Sequence, residues 1–195
     1  MDSTTFISFF IFAAVAAFTP GPNNLLLSTS GALFGFQRTL PHVMGVIVGF
    51  LLIVLLACLG LGWVLSQVPV LMRGLQLGGV LVIGYLAVQF WNLSPSEQES
   101  RGRPMRFIEA VLFQWINPKG VIVIISAISA YAGDSAQDRD VVITILGVFL
   151  VVTAGSATLW AYAGSWISRY LKTGVRQLWF NRIACLLYTS DAADE

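Results

Sequence analysis

Two proline motifs hold the polar residues of this sequence that could bind a small molecule. One occupies residues 19–24, and the other occupies residues 117–120 with a glutamine shortly before it. A lysine and several amides can donate to a carboxylate, and the amide oxygens can accept from an ammonium group. This combination predicts binding of a zwitterionic amino acid, with no catalytic residue. The candidate substrate-binding residues are Pro20, Gly21, Pro22, Asn23, Asn24, Gln114, Asn117, Pro118 and Lys119.

Lys119 needs an explanation because it lies deep inside an apolar stretch. By helical rise it is about 18 Å from Phe107, where that stretch begins. A charge at such depth in hydrocarbon is costly and marks a functional site by default, so we expect Lys119 to bind a substrate carboxylate. The alternative is a structural role, in which Lys119 binds backbone carbonyls and holds a broken helix together.

The rest of the chain is apolar enough to require a membrane. Of its 195 residues, 56% are hydrophobic and 11% are charged, whereas soluble domains carry roughly 25% charged residues. Residues 3–37, 39–72, 74–96 and 141–168 contain no charge, and about 20 apolar residues are enough for a helix to cross a bilayer. The net charge of +1 and the lack of a basic stripe argue against a nucleic-acid partner. The expected partners are the lipid bilayer and a small amino acid.

This pattern predicts an all-α polytopic membrane protein with about six transmembrane helices, arranged as two inverted three-helix repeats with broken first helices. We expect a first repeat at residues 1–91, a cytoplasmic linker at 92–106 and a second repeat at 107–188. The predicted segments cover about residues 6–34, 40–66, 70–91, 107–131 and 141–167, and the sixth begins near Leu178. In segment five, Thr153 and Ser156 either line a path or bond to neighbouring helices.

Each proline motif should break the first helix of its repeat near the middle of the membrane. Proline removes an N–H and clashes with the preceding turn. Asn117 is then predicted to cap a new half-helix that begins at Pro118, and Thr19 with Pro20 can be interpreted in the same way. A half-helix N-terminus attracts anions, and paired broken helices in an inverted repeat indicate a transporter's substrate site. The alternative is a pair of structural kinks.

Lys and Arg residues are unevenly divided between alternate loops. The loops after segments one, three and five hold seven of them, whereas the loops after segments two and four hold two. Because short cytoplasmic loops carry the excess, both termini are predicted to lie outside, on the periplasmic face of a Gram-negative inner membrane.

Several other residues receive structural interpretations. His42 is expected to be a surface residue at the cytoplasmic edge, and Glu109 is expected to pair there with Arg106. Gly45 and Gly49 have the GxxxG spacing that lets helices approach closely. We interpret that spacing as packing within the chain, and the association of several copies stays open.

The sequence also contains the runs Thr19-Pro20-Gly21-Pro22-Asn23 and Phe113-Gln114-Trp115-Ile116-Asn117-Pro118-Lys119, the glycines 35, 45 and 49, and Phe180-Asn181-Arg182-Ile183. With these motifs the chain resembles the LysE/RhtB family of bacterial amino-acid exporters over nearly its whole length. The resemblance implies an inner-membrane carrier that exports neutral or basic amino acids such as threonine, homoserine, cysteine or lysine. It also implies proton coupling and no cofactor. Our mechanistic hypothesis is alternating access by rocking of the two halves around the breaks.

The end of the chain departs from the family pattern. The family continues with a full apolar helix, whereas here the apolar run from Leu178 stops at Tyr188 and gives way to acidic residues at 189–195. We expect this tail to be a truncation or an assembly artefact and the natural sixth helix to be longer.

Two other classes of membrane protein stay open as alternatives. A metal-ion exporter needs carboxylates, histidines or thiolates at mid-membrane. A transmembrane thiol-redox carrier needs two facing cysteines, for which the chain offers Cys58 and Cys185. No metal site is expected, and an enzyme is not expected because the common hydrolase and metalloprotease motifs do not occur.

Overall fold

The structure is a computed structural model, which describes residues 1–61, 74, 77, 103–132 and 137–170. The helices in these ranges are α1 (Ser3–Phe18), α2 (Pro22–Phe34), α3 (Phe36–Leu56), α4 (Phe107–Ile116), α5 (Pro118–Tyr131) and α6 (Arg139–Tyr170), with a π-helical turn at Ala57–Leu61. The predicted sixth segment, the tail and nearly all of the third segment lie outside the described residues. The division into two repeats therefore stays a prediction.

Two of these helices are long and apolar enough to cross a membrane, and the other four form two bent pairs. α3 and α6 are the long helices. α1 meets α2 at 51° and α4 meets α5 at 64°, and each pair is apolar enough to cross as one broken span. The described residues thus account for up to four crossings. The predicted all-α polytopic class is confirmed, and so are the broken helices at both proline motifs.

Large apolar side chains cover the outside of this bundle. On α1, Ile7, Ile11 and Val15 follow one another at helical spacing and are 57%, 57% and 64% exposed. Leu112 on α4 and Val151 on α6 are equally open, at 61% and 62%. Exposed apolar faces of this extent are unusual for soluble proteins, and lipid tails can cover them.

The main apolar core joins α1, α3, α5 and α6 through aromatic rings. Phe149 of α6 packs edge-on against Phe9 of α1 and Phe50 of α3, with ring centroids 5.4 Å and 5.3 Å apart. Ile124 of α5 is buried in the same cluster. This packing holds the first half of the first broken span and the second half of the second against the long helices, and so fixes the region around the breaks.

Close helix contacts depend on glycine. A Cβ on Gly45 would lie 2.4 Å from the carbonyl oxygen of Phe107, and one on Gly49 would lie 2.8 Å from the Cα of Val111. Both glycines of α3 therefore let α4 approach within the same chain, which confirms the interpretation of their spacing. Gly31 of α2 allows a similar approach to α6, because a Cβ there would lie 2.0 Å from a carbonyl oxygen.

Candidate functional site

The first break separates α1, which ends at Phe18, from α2. Gly21 is the N-cap of α2 in an extended conformation, and Pro22 is its first residue. The expectation that Thr19 caps the second half-helix is wrong, since Thr19 instead ends α1 and its hydroxyl donates back to the carbonyl of Val15. The physical reason is that Pro22 also suits a first helical position, so the chain stays extended past Pro20.

Side chains satisfy the carbonyl groups that the break leaves open at the end of α1. Asn24 Nδ2 donates to the carbonyls of Ala17 and Thr19 at 2.8 Å and 2.9 Å. The hydroxyl of Ser156, on α6, also donates to the Ala17 carbonyl. These bonds matter because helix-terminal carbonyls have no partner within the helix itself.

The second break lies at Asn117, between α4 and α5. Asn117 is the N-cap of α5 and Pro118 is its first residue, as predicted. The Asn117 side chain makes no capping hydrogen bond, however, and it is only 4% exposed. Its Oδ1 is buried and has no hydrogen-bond partner among the described residues. A buried acceptor left in this state is costly, and the site therefore offers an acceptor to a ligand.

Lys119 reaches from the second break to the first. Its Nζ donates to the carbonyls of Thr19 and Pro20 at 3.1 Å and 2.8 Å. The lysine stem passes close over Gly21, where a Cβ would lie 2.8 Å from the Lys119 Cδ. Glycine at position 21 thus allows the contact. These bonds match the structural role that the sequence left as the alternative for Lys119, and its contact with substrate stays a prediction.

A reciprocal pair of amides also joins the two breaks. Gln114 Nε2 donates to Asn23 Oδ1 at 3.1 Å, and Asn23 Nδ2 donates to Gln114 Oε1. Gln114 is 1% exposed, and its Nε2 also donates to the carbonyl of Ala110 at 2.9 Å. The pair fixes the distance between α2 and the end of α4.

A cavity of about 70 Å³ lies where the two breaks meet. Of the nine predicted substrate-binding residues, the structure brings six into its wall: Gly21, Pro22, Asn23, Asn24, Asn117 and Lys119. The other three do not line it. Pro20 offers its carbonyl to Lys119, Gln114 holds Asn23, and Pro118 begins α5.

The remaining wall of the cavity comes from helices whose role the sequence did not predict. Phe50 of α3 and Phe149 of α6 line it, as do Thr153 and Ser156, whose role had stayed open. The two phenylalanines resemble the other apolar residues of their helices, so only the packing identifies them. The hydroxyl groups on α6 at helical spacing were the one signal available in the sequence.

The structure contradicts the prediction for His42. It is 1% exposed rather than a surface residue. On α3 it shares a buried face with Thr39, Val43 and Val46, and that face packs against Leu27 of α2. The spacing of these residues at three and four positions could have revealed the burial.

Glu109 forms its ion pair with a different arginine from the expected one. Its carboxylate accepts from the Arg103 guanidinium, with Nη1 and Oε2 at 2.8 Å. Arg106 contributes its backbone N–H at 2.9 Å. The hydrogen bonds with Glu109 raise the pKa of Arg103 above its ordinary value, so the guanidinium stays charged.

The structure describes only some of the residues that a metal-ion exporter or a thiol-redox carrier would need. Cys58 is 1% exposed within the main apolar core and does not line the cavity, and Cys185 lies outside the described residues. Over the ranges that the structure describes, no three His, Cys, Asp or Glu side chains come together as a metal site would require.

Comparison with known proteins identifies the family. Residues 14–191 match the family model described as LysE type translocator. The chain belongs to this family. It is 26% identical over 179 residues to the cysteine/O-acetylserine efflux protein of Escherichia coli (strain K12), with 91% of each chain covered. It is 27% identical over 182 residues to the protein of that name from Escherichia coli O1:K1, again with 91% of each covered. No solved structure gives a significant match.

The family result confirms the resemblance drawn from the motifs. The chain is a multi-pass membrane translocator, and both proline motifs lie within the matched residues.

Proposed function

We propose that this translocator exports a small amino acid with an uncharged side chain across the bacterial inner membrane. We further propose that the cavity between the two breaks is its substrate site. The observation that carries the proposal is that both breaks line one cavity whose wall holds Lys119 and Asn117, with Asn117 Oδ1 buried and unpartnered among the described residues.

A zwitterionic amino acid fits the hydrogen-bond donors and acceptors around this cavity. Its ammonium group would donate to Asn117 Oδ1. Its carboxylate would accept from Lys119 and from backbone N–H groups in the first turns of α2 and α5, where the helix dipole favours negative charge. In this structure Lys119 binds neutral carbonyls. A carboxylate is a stronger partner than a carbonyl, so the substrate would draw Lys119 away from the first break.

The apolar part of the wall suits a small side chain without charge. Ala13, Ala17 and Phe50 line it together with Thr153. None of the described lining residues is acidic, so a basic side chain would meet no counter-charge there. The cavity of about 70 Å³ has room for several waters at roughly 10–15 Å³ each. The relatives are named for cysteine and O-acetylserine, and both have small, uncharged side chains.

The mechanism that we propose is alternating access by rocking of the two halves around the breaks, with both termini outside. Release of Lys119 from Thr19 and Pro20 on substrate binding would loosen the contact between the halves. A ligand shifts such an equilibrium only through contacts that differ between the two states, and Lys119 supplies one. Proton coupling, which the resemblance to the family implies, would drive export.

Amino-acid efflux tests the proposal. Bacteria carrying the chain are loaded with dipeptides that release cysteine, serine, threonine, homoserine or lysine, and export is measured at matched membrane abundance. We expect faster export of a small uncharged amino acid. Lys119→Met should slow it about 30-fold or more, as for loss of one partner of a buried charge pair. Arg139→Gln, which removes an exposed charge at the start of α6, is the matched control and should leave export unchanged.

Two results would contradict the proposal. Export at the wild-type rate by Lys119→Met would exclude a role of that lysine in substrate binding. Export of lysine alone would exclude a small uncharged substrate.

A further inference from the structure

A second cavity, which we name the His42 cavity, lies at the other end of α2. It measures about 320 Å³ and is lined by Thr29 and Ser30 of α2, His42 of α3, and Arg103 and Glu109 near the start of α4. Its wall shares no residue with the cavity at the breaks. The proposed substrate site therefore does not account for it.

His42 is the feature of this cavity that calls for a ligand. It is the one histidine of the sequence and is 1% exposed, yet neither ring nitrogen has a hydrogen-bond partner among the described residues. Buried polar groups are nearly always hydrogen-bonded, and leaving them unpaired destabilises the fold. The ring lies against the cavity, and a turn about its Cβ–Cγ bond, which has a broad torsional preference, would present a nitrogen to a bound molecule.

The other polar groups of the cavity define the chemistry of that molecule. Arg103 and Glu109 form a two-bonded ion pair and are about half exposed, so they can exchange partners. The Thr39 hydroxyl donates to the Gly35 carbonyl at 3.0 Å. The Ser30 hydroxyl, 3.1 Å from Thr39, must therefore donate to it and keeps its own oxygen as an acceptor. A cation, an anion and further acceptors in one cavity match a ligand that carries both a carboxylate and an ammonium group.

The two cavities follow one another along α2. Asn24 lines the first and Leu26 lines the second, and these positions are separated by about 3 Å of helical rise. Asn23 of the first cavity is bound to Gln114, and Leu26 of the second packs with Leu25 and Phe113. A molecule in the His42 cavity would thus lie next to the proposed substrate site along α2.

We propose that the His42 cavity is a second binding site for a small zwitterionic amino acid, whose carboxylate binds Arg103 and whose ammonium group binds both Glu109 and His42. Its use as the access site to the cavity at the breaks rests on the proposed function, but the binding itself does not.

The single histidine gives a direct test. The full chain is labelled with ¹⁵N-histidine, purified into lipid nanodiscs and titrated with O-acetyl-L-serine. The Asn117→Leu background removes the acceptor of the first cavity. We expect the imidazole signals of His42 to shift and saturate in this background. N-acetyl-L-serine, an isomer without an ammonium group, should give no saturable shift.

Charge variants test the rest of the site. Arg103→Gln should weaken the titration about tenfold or more, as expected for hydrogen bonds to a charged group, and Arg139→Gln should not change it. The proposal is overturned if the His42 signals stay constant, if they shift only when Asn117 is intact, or if Arg103→Gln has no effect. None of these results depends on efflux. The binding proposal and the transport proposal can therefore fail independently.

His42→Phe separates binding from a structural role. Phenylalanine keeps the ring but removes the two unpaired nitrogens. In the Asn117→Leu background we expect His42→Phe to abolish saturable binding of O-acetyl-L-serine, measured by equilibrium dialysis, without a lower unfolding temperature. A lower unfolding temperature with binding retained would show that the histidine is structural and would overturn the proposal.

Discussion

The two broken spans bend by comparable angles, 51° and 64°, but they contribute different atoms to the lysine contact between them. The first break contributes backbone: the carbonyls of Thr19 and Pro20 accept hydrogen bonds from Lys119, and Gly21 leaves room beside them. The second break offers side chains, the amide of Asn117 and the ammonium group of Lys119. The two motifs are therefore complementary and cannot be interchanged.

Each break is therefore sensitive to a different kind of substitution. At the first break the absence of a side chain is what matters, because Lys119 occupies the space that a Cβ of Gly21 would take. At the second break the identity of the side chains matters, since they supply the donor and the unpaired acceptor. The same glycine-to-alanine substitution should therefore reduce export more at the first break than at the second.

Among the substitutions that compare the two breaks, Gly21→Ala should have the largest effect. The new methyl group would lie 2.8 Å from the Lys119 Cδ and 2.9 Å from its Nζ, so the lysine must move away. Backbone strain does not contribute, because Gly21 is extended at φ −174°. We expect export to fall about tenfold or more, because the contact of Lys119 with the first break must re-form in each transport cycle and would lose a hydrogen bond to a charged group.

Gly120→Ala is the matched control at the second break. A Cβ there has its nearest neighbours at 3.3 Å and 3.5 Å, in Asn117 and Phe50, and these side chains can adjust. Efflux at equal membrane abundance should be clearly higher for Gly120→Ala than for Gly21→Ala. Equal losses would show that the two breaks do not differ as described.

A smaller effect should appear when the amide pair between the breaks is removed. Asn23→Ala and Gln114→Ala each leave one amide without its partner, at a cost of about 1–3 kcal/mol. The double variant should cost less than the sum of the two by about 0.5–3 kcal/mol. Unfolding of the purified protein by denaturant in detergent measures these free energies.

Thr144→Ala provides the control for additivity. Its hydroxyl donates to the Asp140 carbonyl within α6, away from both breaks. Combined with Gln114→Ala it should be additive within about 0.5 kcal/mol. Additivity of Asn23→Ala with Gln114→Ala would mean that the amide pair does not couple the breaks.

The sequence predicted the breaks themselves, because the missing N–H of proline and its steric clash disrupt only the adjacent turn of helix. Pro118 and the cap at Asn117 follow from local backbone chemistry alone. The start of α2 was misplaced because two prolines compete for the first position, and only the packed structure selects Pro22.

The partners of side chains across helices could not be predicted in the same way. Glu109 pairs with Arg103 rather than Arg106, and His42 is buried, because both outcomes depend on how the helices and the residues before α4 pack together. Lys119 shows the same limit. Its depth indicated a function, but its bonds to Thr19 and Pro20 depend on how close the two breaks lie.

Binding of two isomers tests the central claim most directly. O-acetyl-L-serine has an ammonium group that can donate to Asn117 Oδ1, whereas N-acetyl-L-serine does not. Both isomers are tested in the Arg103→Gln background, which weakens ligand binding in the His42 cavity. Affinity is measured by equilibrium dialysis of the chain in nanodiscs. We expect the isomer with the ammonium group to bind about tenfold or more tightly, and Asn117→Leu to abolish that preference. Equal binding of the two isomers, or a preference that survives Asn117→Leu, would contradict the assignment of the cavity between the breaks as an amino-acid site.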